Sequence, residues 1–352
     1  MTDQTDAPLV AHLLYPKDAG LPDLAGFAAR LNDALARVQL SLQDMGQDDA
    51  GAHVFAHPLV SLRLRMVDIP CPMPALAAAL NAPFMAIKPG DLPDQVARHA
   101  WYMELTVTTT ATQDDDGTLP WPMQLVVLHR ALLILIDADA DVVVHMPLSD
   151  MLFTRSEVLA TSEMTLPIAL CLHPLPIASA QVPTIAGILP PLGLILIGAE
   201  RFCDKTVMLV PSTLPLHDGL TLLTSLLRDH VGGVFRLDDG AHLRHPTHDG
   251  IFIRHGGPDG RILIGLGDWP DPDAPPPRVV DLSELTPRPR RPVTHESGLM
   301  AQIASRIGRF ALSPNGLITI AGIAAYLLIS HLAGQWFESQ SEMIRAAVGP
   351  RN

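Results

Sequence analysis

Ala100-Trp-Tyr-Met-Glu-Leu-Thr-Val-Thr-Thr-Thr110 decides the fold class. Trp101, Met103, Leu105 and Val107 alternate with Tyr102, Glu104, Thr106 and Thr108. Successive side chains of a strand point to opposite faces, so this period of two predicts a β-strand. Beyond the turn residues Asp114-Asp-Asp-Gly117, the run Met123 to Ile136 is apolar on nearly every side and predicts a largely buried helix. A strand followed at once by a buried helix points to sheets with helices packed on them.

Working outward, residues 53–69 read as one or two strands, with Leu62, Leu64 and Met66 alternating with Arg63 and Arg65. Ile69-Pro-Cys-Pro-Met-Pro74 reads as a stiff extended segment that no helix can include, and a short helix resumes at 75–80. Leu9 to Tyr15 is a short apolar segment. Asp23 to Val38 is a helix with Leu24, Phe27, Ala28, Leu31, Leu35 and Val38 on one face and Asp23 as its N-cap. Another helix covers 91–98. On the C-terminal side, Asp141 to Met146 reads as a strand, Ser149 to Leu159 as a helix, and Leu166 to His173 as an apolar strand ending at Pro174.

No charge occurs between Glu163 and Glu200, but Pro167, Pro174, Pro176, Pro183, Pro190 and Pro191 break every membrane span there, leaving buried strands and loops. Leu192–Ile197 and Thr206–Val210 are strands around a Gly198–Asp204 corner. Leu216 to His230 is an amphipathic helix closed by Gly232-Gly233, and Ile251–Arg254 and Arg261–Leu266 are short paired strands. No Rossmann-type glycine loop is present. The expected fold class is α+β, with mixed or antiparallel sheets and packed helices, plus one C-terminal transmembrane helix.

That last element rests on Phe310 to Phe337, which contains no charged residue. About 20 apolar residues at roughly 1.5 Å each cross a hydrocarbon layer of roughly 30 Å. Leu317, Ile320, Ile323, Leu327, Leu328, Leu332 and Trp336 form the expected anchor. Arg288, Arg290, Arg291, Arg306 and Arg309 precede the span and only Arg345 and Arg351 follow it, which predicts a cytoplasmic N-terminal domain. The acidic, polar N-terminus lacks the basic and apolar regions of a signal peptide, which agrees. Gly322, Tyr326, Ser330 and Gly334 recur every fourth residue, a spacing that permits close helix contact and self-association. His331 is the one ionisable group of the run; a single span gives it no proton path, and a hydrogen bond to a partner helix or a place near the interface suits it better.

The domain plan is therefore an α+β domain over 1–267, either continuous or in two lobes near 1–160 and 161–267. A Pro/Arg-rich linker follows over 268–298, a juxtamembrane segment over 299–316, the span over 317–337 and a short tail over 338–352. The net charge of −13 over 352 residues argues against nucleic acid as a partner. Cys71, Cys171 and Cys203 form no CxxC pair and are odd in number, which fits a reducing compartment.

Three segments carry a family resemblance. They are Met66-Val-Asp-Ile-Pro-Cys-Pro-Met-Pro74, His99-Ala-Trp-Tyr-Met-Glu-Leu-Thr-Val107, and Leu194 to Val210 with Gly198, Phe202 and Thr206-Val-Met-Leu-Val210. On these, residues 9 to 267 resemble the bacterial family catalogued as domain of unknown function 4261. The resemblance implies a bacterial origin and supplies no catalytic signature. The chain departs from the family pattern at Asp141-Val-Val-Val-His-Met146, where a Gly- and aromatic-rich segment is expected.

Chemistry-bearing residues are few. His242, His245, His248 and His255 with Asp249 form the densest histidine cluster. Imidazole and carboxylate suit zinc, but the spacing fits no standard ligand motif, so His242, His245, His248 and Asp249 read as surface-loop residues and no metal or other cofactor is expected. Cys171 and His173 share one side of a strand, a spacing open to a nucleophile pair but set among apolar neighbours. Glu200, Asp204 and Lys205 could supply acid–base groups at the Gly198 corner. Asp114–Asp116 lacks the ligand pattern of a calcium loop. No Walker loop, GxSxG elbow or HExxH occurs.

The reading is a membrane-anchored, non-enzymatic binding or adaptor protein of the bacterial inner membrane, single-pass, with the lipid bilayer and an unidentified protein as partners. Two alternatives stand beside it. One is a hydrolase-like or metal-dependent enzyme using His242–Asp249; the other is a soluble protein with the tail helix packed into its core.

Overall fold

The computed structural model describes residues 8–110, 119–136, 141–179, 190–245, 248–256, 260–280 and 282. The run Phe310–Phe337, where a span is expected, and Asp114–Asp116, where a turn is expected, lie outside the described residues. Among the described residues, no helix is long and apolar enough to cross a membrane.

The fold is α+β with two seven-stranded sheets and packed helices. The first sheet is built from β1 (Leu9–Pro16), β2 (Gln43–Gln47), β3 (His53–His57), β4 (Val60–Val67), β5 (His99–Thr109), β6 (Val143–Met146) and β7 (Met151–Thr154). Their order is β2-β3-β4-β5-β1-β6-β7 and every neighbouring pair is antiparallel. The second contains β8 (His173–Ala178), β9 (Leu192–Ile197), β10 (Val207–Ser212), β11 (His242–His245), β12 (His248–Gly256), β13 (Arg261–Leu266) and β14 (Arg278–Val279). Its order is β11-β12-β13-β10-β9-β8-β14, with one parallel pair, β10 with β13.

Alternation along β1 explains how the first sheet is covered. Leu9, Ala11, Leu13 and Tyr15 enter the large core, which also takes in α1 (Phe27–Leu35), α4 (Trp121–Leu135), α7 (Leu216–Val231) and the inner residues of the second sheet. Leu14, on the opposite face, packs with Cys71, Tyr102, Val143 and Leu152 beneath α2 (Met73–Leu80) and α3 (Leu92–Arg98). Tyr15 stacks on Trp101 at 4.1 Å between ring centroids, joining β1 to its partner β5. An ion pair between the buried Lys88 Nζ and the partly exposed Glu157 Oε1, at 2.5 Å, fastens the turn Pro83–Ile87 to α5 (Arg155–Leu159), and the same ammonium lies 4.5 Å from the Phe153 ring centre.

Several expectations need correction. The first helix starts at Phe27 after Gly26, not at Asp23; the Asp23 carboxylate instead accepts the Ala25 N–H in a local turn. The helix α2 takes Pro74 into its first turn, where a missing N–H costs nothing. Met151–Thr154 is a strand rather than the start of a helix, and Thr154 then caps α5 through a reciprocal pair with Glu157. Ile168–Cys171 is a 3₁₀ turn, and the strand begins at His173, where it was expected to end. Pro174 and Pro176 are tolerated in β8 because they sit on its outer side. The Pro176 carbonyl accepts from Val280 N–H on the β14 side, so the pyrrolidine nitrogens face away from β9. The Pro/Arg-rich segment is packed at its start: Pro270, Val280 and Leu282 are buried, and β14 pairs with β8.

Candidate functional site

A row of polar side chains crosses the first sheet on the face covered by α2 and α3. Register places Arg65 opposite Glu104, Glu104 opposite His12, and His12 opposite His145, on β4, β5, β1 and β6 in turn. Exposure falls along the row: Arg65 is exposed, the Glu104 side chain is 26% exposed, that of His12 14%, and His145 is buried. Arg65 Nη2 donates to Glu104 Oε2 at 3.1 Å, and Glu104 Oε2 lies 3.8 Å from His12 Nε2. His12 Nδ1 lies 3.2 Å from His145 Nδ1 and 4.0 Å from Cys71 Sγ. The Tyr102 ring meets the His12 ring edge-on at 5.4 Å.

The carboxylate on the Nε2 side favours a proton on that nitrogen and leaves His12 Nδ1 as the acceptor. His145 then donates its Nδ1–H to His12, and its Nε2 is left buried with no partner among the described residues. Burial holds both imidazoles neutral. It lowers His12, against an upward pull from Glu104 and a further downward push from Arg65; it lowers His145 to about 4, where a second proton beside His12 would also meet repulsion whenever His12 is itself protonated. Burial, and then the Glu104 charge, raises the Cys71 thiol. Above this row, His99 pins the covering segment: its Nε2 accepts the Cys71 N–H at 2.8 Å and its Nδ1–H donates to the Val96 carbonyl. The segments 66–74 and 99–107 thus meet here, since Cys71 comes from one and His99 and Glu104 from the other.

Of the residues singled out from the sequence, the side chains of His245, His248 and Asp249 lie outside the described ones, and those that are described do not converge. His242 pairs across the hairpin with Phe252, and their rings stack at 4.3 Å. Gly250, at φ +149°, leaves that ring its room, because a Cβ there would lie 2.5 Å from His242 Nε2. His255 stands three residues beyond Phe252 on β12 and so points to the other face. Its Nε2–H donates to the Leu237 carbonyl at 2.7 Å and its Nδ1 accepts from Lys205 Nζ at 3.1 Å. Residues 245 and 248 face each other in the β11–β12 register. Among the described residues, no group of three or more His, Cys, Asp or Glu side chains is placed to hold a metal ion.

Cys171 and His173 do not act together. The Cys171 thiol is buried and pushed up to about 12, whereas His173 Nδ1–H donates to the Ser149 carbonyl at 2.7 Å. Glu200 staples the Gly198 corner: Oε2 accepts the Gly198 N–H at 2.8 Å and Oε1 accepts the Thr206 hydroxyl at 2.5 Å. Asp204 closes α6 (Glu200–Cys203) at φ 58°.

Elsewhere, a half-open cleft of about 610 Å³ lies beside the start of α7. Ile87, Pro191, Leu192, Leu214 and Leu282 give it an apolar wall, and Ser212, Thr213 and His217 add polar atoms. No protein-family model matches the chain, and neither a curated protein nor a solved structure does.

Proposed function

We propose that the chain is a membrane-tethered, non-enzymatic binding or adaptor protein, held by the run Phe310–Phe337 with its N-terminal domain in the cytoplasm of a bacterium. The observation that carries the binding role is the cleft of about 610 Å³, whose wall is mostly apolar. Such a surface suits an apolar group of a ligand or partner better than a reaction that needs several converging polar groups. The tether and its orientation rest on the uncharged run and on five arginines before it against two after it. The bacterial setting rests on the resemblance of the segments around Cys71, Glu104 and Gly198.

Fractionation of the expressing cell tests the tether. The full chain is expected in the membrane fraction after carbonate washing, and a chain stopped after Ser297 in the soluble fraction. Aggregation of the shortened chain beside a soluble intact one would instead place the tail in the core. For orientation, a cysteine at Ser341 is expected to react with an impermeant thiol reagent in spheroplasts and one at Asp115 is not. Labelling at Asp115 alone would reverse the topology.

A further inference from the structure

Cys71 is buried, while Asp68, Ile69, Pro70, Pro72, Met73 and Pro74 on either side of it are exposed. Its thiol therefore lies one residue below the surface, under a thin strip of chain. Pro70 and Pro72 have no N–H to give, and among the described residues the bond from Cys71 N–H to His99 Nε2 is the one hydrogen bond fastening the backbone of 68–71 to the sheet. Opening of this strip is the route by which a reagent reaches the sulfur, which packs below it with Leu14, Leu76 and Tyr102. Below it lie the parts of a thiol-activating relay: Sγ to His12 Nδ1 at 4.0 Å, His12 Nε2 to Glu104 Oε2 at 3.8 Å, and Glu104 held by Arg65 at 3.1 Å.

We propose that Cys71 is a covalent modification site for soft carbon electrophiles of the α,β-unsaturated carbonyl class, with His12 as its base and Glu104 as the group that orients His12. As His145 turns its Nδ1–H away and frees the single Nδ1 lone pair of His12, the Cys71 S–H proton passes to that nitrogen while the sulfur lone pair forms a C–S bond at the β-carbon. The alkene π pair moves to the α-carbon and carbonyl, and the α-carbon then takes the proton back from His12 Nδ1–H. Thiol and alkene are converted to thioether and nothing else is consumed. A neutral thiol beside a neutral imidazole is the starting state such a general-base addition needs, and the Glu104 carboxylate stabilises the imidazolium formed on the way. The charged and titratable groups facing His12 are Glu104 from β5, Arg65 from β4, His145 from β6, Cys71 from the segment before α2, and the Tyr102 ring. This site is separate from the cleft and does not depend on the binding role proposed above.

The test is alkylation of the full-length native protein by N-ethylmaleimide at pH 7, with each cysteine peptide followed by mass spectrometry. Cys171 and Cys203 serve as internal references, since burial raises their thiols to about 12 and about 11. Cys71 is expected to react about tenfold faster than either, and about tenfold slower in His12→Gln than in the wild type. In Glu104→Gln the rate falls by about threefold or more, and its pH profile shifts. In the wild type the Cys71 rate levels off once His12 is neutral, whereas in His12→Gln it climbs with pH as the thiol alone ionises. Should His12→Gln fail to fold by near-ultraviolet circular dichroism, Glu104→Gln and the wild-type pH profile decide. Cys71 reacting no faster than Cys171 and Cys203, or at the wild-type rate in the folded variants, overturns the proposal.

Discussion

Replacing His129 by Gln should flatten the dependence of stability on pH. His129 lies on α4 inside the main core, fully buried. The Thr161 hydroxyl donates to the Val158 carbonyl, so His129 Nε2–H must donate to Thr161 Oγ1, at 2.8 Å. The other nitrogen, Nδ1, has no partner among the described residues. Burial, and then the nearby Arg130 charge, lowers the imidazole from 6.5 to about 3. Between those values the unfolded chain takes up a proton that the folded chain refuses. Stability linked to His129 is therefore complete above about pH 6.5 and is lost as the pH falls toward 3. At pH 5 the unfolded group lies about 1.5 pH units below its midpoint, which at about 1.4 kcal/mol per unit makes about 2 kcal/mol. His129→Gln keeps an N–H for Thr161 and removes the titration. Urea unfolding of the full-length protein, followed by tryptophan fluorescence at pH 7 and pH 5, measures the difference. The variant should lose about 2 kcal/mol less than the wild type over that interval, although it is less stable at pH 7 by about 1 kcal/mol. Equal losses in the two proteins would refute the argument that the buried imidazole is refused its proton.

Lys88→Ala should destabilise the fold by about 1–3 kcal/mol, because the ammonium is buried between Glu157 and the Phe153 ring while Glu157 keeps partial access to water; Lys88→Met, which fills the same volume, should cost less in the same urea titration. Gly193→Ala should cost about 2 kcal/mol or more, since its new Cβ would sit 2.2 Å from the Leu209 carbonyl oxygen at the β9–β10 irregularity; an unchanged melting temperature would show that the two strands can part there without penalty. Elemental analysis of purified protein should find no stoichiometric zinc. About one zinc per chain, lost in His245→Ala, would overturn that expectation and favour the metal-dependent reading.

Much of the fold is legible locally because a single element carries its own signal. Trp101 to Thr108 alternates, and β5 runs as that alternation says. The helix α7 ends at the Gly232 that follows its apolar face. What escapes is the structure that depends on neighbours. Gln43–Gln47 carries no apolar pattern and becomes β2 only because β3 offers it a ladder. His173–Ala178 holds two prolines and is a strand only because its outer side needs few hydrogen bonds. The polar row left a weak trace: His12 and His145 are each a lone polar residue within an apolar strand. Their meeting with Glu104 and Cys71 was hidden, because it requires the order β4-β5-β1-β6, which does not follow the chain.

The central place of β1 also bears on synthesis. It leaves the ribosome well before both its partners, β5 and β6. The gap from Pro16 to His99 is on the order of 80 residues, or about 4–16 s at a translation rate of roughly 5–20 residues per second. For that interval Leu-Val-Ala-His-Leu-Leu-Tyr-Pro has both ladder edges and its apolar side chains uncovered. The nascent chain is therefore vulnerable at residues 9–16 for that interval, and a chaperone that shields them until β5 emerges would raise the yield of native protein.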